Sequence, residues 1–191
     1  MKNIILIGTD TLHRRYIINS LKKKIKITSV IFEKNLIKPK FSTIPIWSSL
    51  ENKFIRSHFS KKEDFDLKNI NVNYVENLNS LLSVKILKNI NPDYVIVSGA
   101  RLIKGKVFEM IKNKSANVHL GNVLKYRGLD SNLWALYHKD YKNIGVTIHK
   151  LHRTLDTGNI LAYRKIAKSK KFLPYKLKFY ESKLAVDLLV P

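Results

Sequence analysis

The residues best suited to chemistry in this 191-residue chain fall between positions 117 and 160. Asn117-Val118-His119 closes a short strand-like run, and the i, i+2 spacing puts Asn117 and His119 on one face of a strand. Gly121 follows, where a missing side chain allows close main-chain approach. Then come Tyr126-Arg127-Gly128, Gly145-Val146-Thr147-Ile148-His149 and Leu155-Asp156-Thr157-Gly158. An amide, an imidazole and a carboxylate are the groups needed to move a proton and to stabilise a developing oxyanion. Each also has a plainer reading, a structural histidine at a strand end or an Asp-Thr-Gly turn. His149 and His152 have H-x-x-H spacing, but along a strand they point to opposite faces, and no metal site is expected. The chain has no cysteine, which excludes disulfides, thiolate zinc sites and cysteine nucleophiles.

A second polar group stands near the start of the chain. His13-Arg14-Arg15-Tyr16 opens a predicted helix, where a helix N-terminus and two guanidinium groups could hold a phosphate or a carboxylate. The plainer reading is a solvated basic turn with Tyr16 as packing. Gly8-Thr9-Asp10-Thr11-Leu12 lacks the glycines of a dinucleotide fingerprint, and no Walker pattern is present.

Apolar runs alternating with helical segments must position these groups. Strands are expected at 3–7, 26–32, 71–75 and 94–97, the last followed by Ser98-Gly99. Helices are expected over about 12–23, near 48–58 within a long connection spanning 34–66, and from about Leu78 to Asn89. The last of these has Leu78, Leu81, Leu82 and Ile86 on one face and stops before Pro92. The runs 145–151 and 160–166 read as an antiparallel pair, and 174–190 as a closing helix. The expected fold is α/β and Rossmann-like: a mostly parallel sheet, helices on both faces, a C-terminal antiparallel extension, and Tyr94 to Val97 at the centre. No repeat or linker marks a second domain, so residues 1–191 read as a single domain. Ligands on such sheets sit beyond the carboxyl ends of the strands.

In their order and spacing, Asn117-Val118-His119, Tyr126-Arg127-Gly128, Gly145-Val146-Thr147 and Leu155-Asp156-Thr157-Gly158 resemble the core signature of the formyltransferases that use 10-formyltetrahydrofolate. That family includes methionyl-tRNA formyltransferase, glycinamide ribonucleotide transformylase and the nucleotide-sugar N-formyltransferases. The resemblance implies a catalytic domain that moves a formyl group from 10-formyltetrahydrofolate, as co-substrate, to a primary amine. It places the catalytic Asn, His and Asp on Asn117, His119 and Asp156 and requires no metal. It sets the folate against the turn at Ser98-Gly99-Ala100-Arg101-Leu102-Ile103, with Gly99, Ala100 and Leu102 as cofactor-binding positions. Tyr126, Arg127, His13 and Arg14 are the expected acceptor side. The chain departs from many members in having Leu120-Gly121-Asn122-Val123-Leu124 after the histidine, without a proline, and no second domain is evident.

The formal charge is +22, yet 29 of the 36 basic residues are lysine, and Lys, Asn and Ile fill 68 of 191 positions. All three are favoured by codons rich in A and T, so compositional bias is one reading of the charge and a polyanion-binding surface is the other. Short clusters occur at Lys22-Lys23-Lys24 and Lys168-Ser169-Lys170-Lys171. Such a field draws an anionic substrate in either case. The Tyr126 to Trp134 stretch and Thr147-Ile148-His149 resemble the sugar enzymes more than the glycinamide one, and with the basic balance this makes a nucleotide-linked amino sugar the expected acceptor. Charged initiator tRNA and glycinamide ribonucleotide are the alternatives. Two other readings are a hydrolase that uses water in place of the amine and a basic RNA- or partner-binding module on a dead core. No apolar run reaches the roughly 18 residues of a membrane span, and the N-terminal run is too short for a signal peptide. A cytoplasmic protein is expected, and a homodimer is compatible with it.

Overall fold

A computed structural model describes residues 2–35, 48–59, 65–166 and 173–190. Seven strands form one sheet: β1 (Ile4–Thr9), β2 (Ile27–Glu33), β3 (Asn71–Val75), β4 (Tyr94–Ser98), β5 (Ser115–His119), β6 (Gly145–Lys150) and β7 (Ile160–Lys165). Their spatial order is β3-β2-β1-β4-β5-β6-β7, which puts β4 in the centre, as the sequence predicts. The first five strands in chain order are parallel; β6 and β7 extend the sheet antiparallel. The chain winds outward from β1 in one direction and from β4 in the other, so a crevice opens at the carboxyl ends of these two strands.

Alternate residues of each central strand enter opposite cores, the reason the runs read as nearly continuous apolar segments. Leu6, Val30, Phe32, Val118 and Val146 pack on one face beneath α1 (Leu12–Lys22) and α6 (Leu177–Leu189). Ile5, Ile7, Ile31, Val95 and Val97 pack on the other face, beneath α3 (Leu81–Ile90) and α4 (Gly105–Ile111). Two further helices, α2 (Ser48–His58) and α5 (Ser131–Tyr137), flank this framework.

One expectation changes. Helix α3 begins at Leu81, with Ser80 as its N-cap accepting from the Ser83 N–H, and Leu78 lies before it. Ser83, Val84 and Leu87 are the buried residues of the helix, while Leu81 and Leu82 are 76% and 51% exposed. The N-cap hydroxyl sets where the helix starts, and the packing of Val84 and Leu87 into the core decides which face is buried. Pro39, Pro45 and the Lys168 to Lys171 cluster lie outside the described residues.

Candidate active site

Asn117 and His119 project from the end of β5 on the face shared with Val97, its neighbour across β4. The loop leaving β6 folds back over that face and brings Asp156 to both. Asp156 adopts a left-handed backbone, φ 51°, and is nearly buried. Its Oδ2 lies 3.3 Å from His119 Nδ1 and accepts the Gly128 N–H at 2.8 Å; its Oδ1 lies 3.4 Å from the Asn117 amide nitrogen. The other ring nitrogen of His119, Nε2, is 3.0 Å from the Tyr126 carbonyl. Both nitrogens thus face oxygen acceptors, an arrangement that an imidazolium fills with two N–H donors. Gly121 lies under the ring, where a Cβ would stand 2.7 Å from His119 Nε2 and collide with Ser131. Burial alone would push the Asp156 carboxyl up. The His119 ring and its charge, with the Gly128 N–H, outweigh burial and hold it well below the usual carboxylate range.

His149 is the residue that sequence reasoning missed. In the antiparallel register of β5 and β6 it stands opposite Asn117, and its Nε2 lies 2.9 Å from the Asn117 amide nitrogen and 3.5 Å from Asp156 Oδ1. Its Nδ1 donates to the Lys150 carbonyl at 2.9 Å, so the Nε2 of a neutral ring accepts the Asn117 amide. The signal that finds it is the cross-strand partner of Asn117, not the spacing to His152. His152 lies beyond the strand, with Nδ1 2.7 Å from Thr157 Oγ1.

These groups border a cavity of about 530 Å³ that also runs along Thr9, Thr11, His13, Arg14, residues 99–103 and Leu155. Gly99, φ 59°, gives its carbonyl to the Thr9 hydroxyl, and the Arg14 guanidinium occupies the space a Cβ there would need. Ala100 and Leu102 lie on the same wall. Packed against Gly99, Arg14 donates to the Thr9 carbonyl and the Thr11 hydroxyl, at 3.2 Å and 3.3 Å. Burial brings this guanidinium down to about 10, against the opposing pull of Asp10. Burial, then the Arg14 and Lys178 charges, hold His13 well below the ordinary histidine range, so it is neutral. Only one of the two guanidinium groups expected here reaches the cavity, because Arg15 is paired at 2.7 Å with Asp10.

The side chains of Tyr126 and Arg127, expected on the acceptor side, are not brought to the cavity. Tyr126 packs on the Ala135, Ile144 and Leu177 cluster and donates its hydroxyl to Asp140, and Arg127 donates to the Val123 carbonyl. The adjoining apolar pocket captures the Tyr126 ring, so this residue meets the site through its carbonyl alone. Lys178 of α6 takes a place on the wall instead, held 3.2 Å from the buried Glu181. Among the described residues no group of three histidine or acidic side chains is arranged to hold a metal ion, and no helix is long and apolar enough to cross a membrane.

An amide, an imidazole and an ionised carboxylate meeting at the carboxyl edge of a mostly parallel α/β sheet define a site equipped for proton management beside an oxyanion. The chain belongs to the formyl transferase family, whose pattern it matches over residues 54–173. It is 36% identical over 124 residues to a methionyl-tRNA formyltransferase of Finegoldia magna, a match covering 62% of this chain and 39% of that protein. It is 31% identical over 80 residues to a GDP-perosamine N-formyltransferase of Brucella melitensis biotype 1, covering 41% of this chain and 30% of that one. The chain therefore spans well under half the length of either relative. A solved phosphoribosylglycinamide formyltransferase from Streptococcus pneumoniae superposes with a TM-score of 0.70 at 14% identity, covering 99% of this chain and 95% of that one, which shows the shared fold.

Proposed function

We propose that this chain transfers a formyl group from 10-formyltetrahydrofolate to a primary amine, and that the amine belongs to a nucleotide-linked amino sugar. The observation that carries the transfer reading is the convergence of Asn117, His119 and Asp156 within 3.3–3.4 Å at one end of the cavity. The donor set suits a folate. Val97, Leu102, Ile103, Leu151 and Leu155 offer an apolar wall, and residues 100–104 are neither helix nor strand, leaving main-chain polar groups for a heterocycle edge. Bound there, the folate would supply the formyl carbon for attack by the amine; charge gathers on the carbonyl oxygen before the bond to N10 breaks, and N10 takes up the proton that the amine loses.

The residues of the chain then have distinct tasks. Asn117 holds one amide hydrogen on His149 at 2.9 Å and the other on Asp156 at 3.4 Å. The longer contact is the weaker one, and an oxyanion displaces it most readily. The His119 imidazolium places positive charge beside that oxygen. Asp156, ionised in the resting site, orients the His119 ring and takes the single proton that the amine loses, directly or through water, for delivery to the departing N10.

For the acceptor, Arg14 and Lys178 supply cationic contacts on the cavity wall, while Thr9, Thr11 and the neutral His13, which also line the cavity, suit a sugar. A methionyl-tRNA acceptor is the second reading, favoured by the 36% identical relative and the +22 charge. Assays with 10-formyltetrahydrofolate and a panel of nucleotide-linked amino sugars, glycinamide ribonucleotide and charged initiator tRNA decide it. Efficient turnover on a nucleotide-linked amino sugar is expected. Transfer to tRNA or to glycinamide ribonucleotide, with none to any amino sugar, overturns the choice.

A further inference from the structure

One wall of the cavity is made by residues 99–103, which together with Lys104 leave the carboxyl end of β4 without regular secondary structure. An unsupported loop of this kind samples several conformations and must be ordered whenever a ligand binds. Here three side chains from distant parts of the chain tie it down. Thr9 donates to the Gly99 carbonyl at 3.1 Å. Asn79, just ahead of α3, clasps the other end from both sides: its amide donates to the Leu102 carbonyl at 3.0 Å, and its carbonyl accepts the Lys104 N–H at 2.8 Å. Between them, the Arg101 guanidinium is drawn back onto Glu33, the last residue of β2.

Glu33 is the unusual member. Its side chain is 0% exposed, and besides Arg101 it faces the Leu78 N–H at 3.4 Å. A carboxylate buried this deeply gains little net stability from its ion pair, and a well-packed apolar residue does as well or better. What the pair does provide is direction. It fixes Arg101, which lines the cavity, and so fixes the main chain on either side of it. Neither Glu33 nor Asn79 lines the cavity.

We infer that Glu33 and Asn79 are positioning residues for the formyl donor: they hold residues 99–104 in the conformation that presents its main-chain groups to the folate. The inference rests on the folate reading above. It predicts an effect on one substrate only. The Asn79 and Glu33 contacts fall on residues 101–104, beyond the Gly99 end of the loop where Arg14 packs, so loss of the tether weakens donor binding and leaves acceptor binding and saturated turnover unchanged.

The test measures the Kd of 10-formyl-5,8-dideazafolate, both KM values and kcat in the full chain, with Glu33→Gln, Asn79→Ala and the double variant. Each single variant is expected to weaken analogue binding by about tenfold, the scale of one hydrogen bond to a charged or ordering group. The acceptor KM and the kcat at saturating donor should stay within about twofold, since neither side chain touches the reacting groups. Amide exchange at Leu102 and Lys104 should quicken in Asn79→Ala, and adding the analogue should restore its protection. Wild-type analogue affinity in folded variants overturns the inference, and so does a parallel rise in both KM values. If Glu33→Gln does not fold, the half-buried Asn79→Ala carries the same comparison. Failure of the wild type itself to bind the analogue is a different result: it removes the folate reading, and this inference with it.

Discussion

Asn117 and His149 stand opposite one another across the antiparallel β5–β6 pair, with the Asn117 amide nitrogen 2.9 Å from His149 Nε2. The amide is therefore not free to rotate. Its orientation is set by a ring that is itself anchored on the Lys150 carbonyl. Removing the ring while leaving the amide should cost orientation but not the donor. We expect His149→Ala to lower kcat by about tenfold, against roughly 10²–10³ for Asn117→Ala, the usual loss for an oxyanion donor. The two changes should be non-additive in a double-mutant cycle because they act through one group. Fully additive losses in steady-state kinetics would contradict the coupling.

Asp156→Asn and His119→Ala should each lower turnover by about two orders of magnitude or more while the fold persists. Single-turnover transfer, read beside a circular-dichroism melt, separates lost chemistry from lost structure. A variant of either kind that melts normally and transfers at the parental rate disproves the assignment.

The depressed carboxyl of Asp156 also has a consequence for stability. A group held below its unfolded value stabilises the fold above that value, about 3.8 for this residue, and loses the contribution as pH falls through the folded one. Asp156→Asn should thus be less stable than the parent at pH 7, and the gap should narrow as the pH drops below about 4. Chemical denaturation at several pH values measures it. A gap that widens in acid has the wrong sign.

Glu51 behaves in the opposite way. Burial, with added repulsion from Glu181 and Asp130 that the Lys178 charge only partly offsets, raises its carboxyl from 4.5 to about 7. Such a group favours the fold below its unfolded value, and that contribution is lost as pH rises from 4.5 through about 7. Glu51→Gln should leave stability unchanged near pH 4 and raise it at pH 8, by about 2–4 °C in Tm for each kcal/mol relieved. A lower Tm than the parent at pH 8 would refute the burial account.

Salt separates the two acceptor readings. A tRNA held through six or more phosphates should lose roughly 10³-fold in affinity between 50 and 200 mM salt, whereas a nucleotide sugar with two phosphate charges should lose far less. Acceptor KM measured across that range is expected to change weakly.

Much of the fold was legible because local pattern and tertiary role agree. The apolar runs at β1, β2, β4 and β6 are buried on both faces, so their hydrophobicity announces them without any knowledge of neighbours. That Asn117, His119 and Asp156 meet at one edge of the sheet was legible through spacing and family likeness. Residues whose importance lies in a partner far along the chain were not. His149 matters because it faces Asn117, 32 positions away; Glu33 because it meets Arg101; Lys178 because α6 returns to the cavity. Tyr126 shows the converse. Its place beside the motif suggested a side chain at the acceptor, but the pocket over Ala135 and Ile144 takes the ring and leaves only the carbonyl for His119. Periodicity and spacing read out what each segment buries, since that depends on the segment itself. Which polar groups meet depends on strand register and loop return, and these are decided by the packing of the whole sheet.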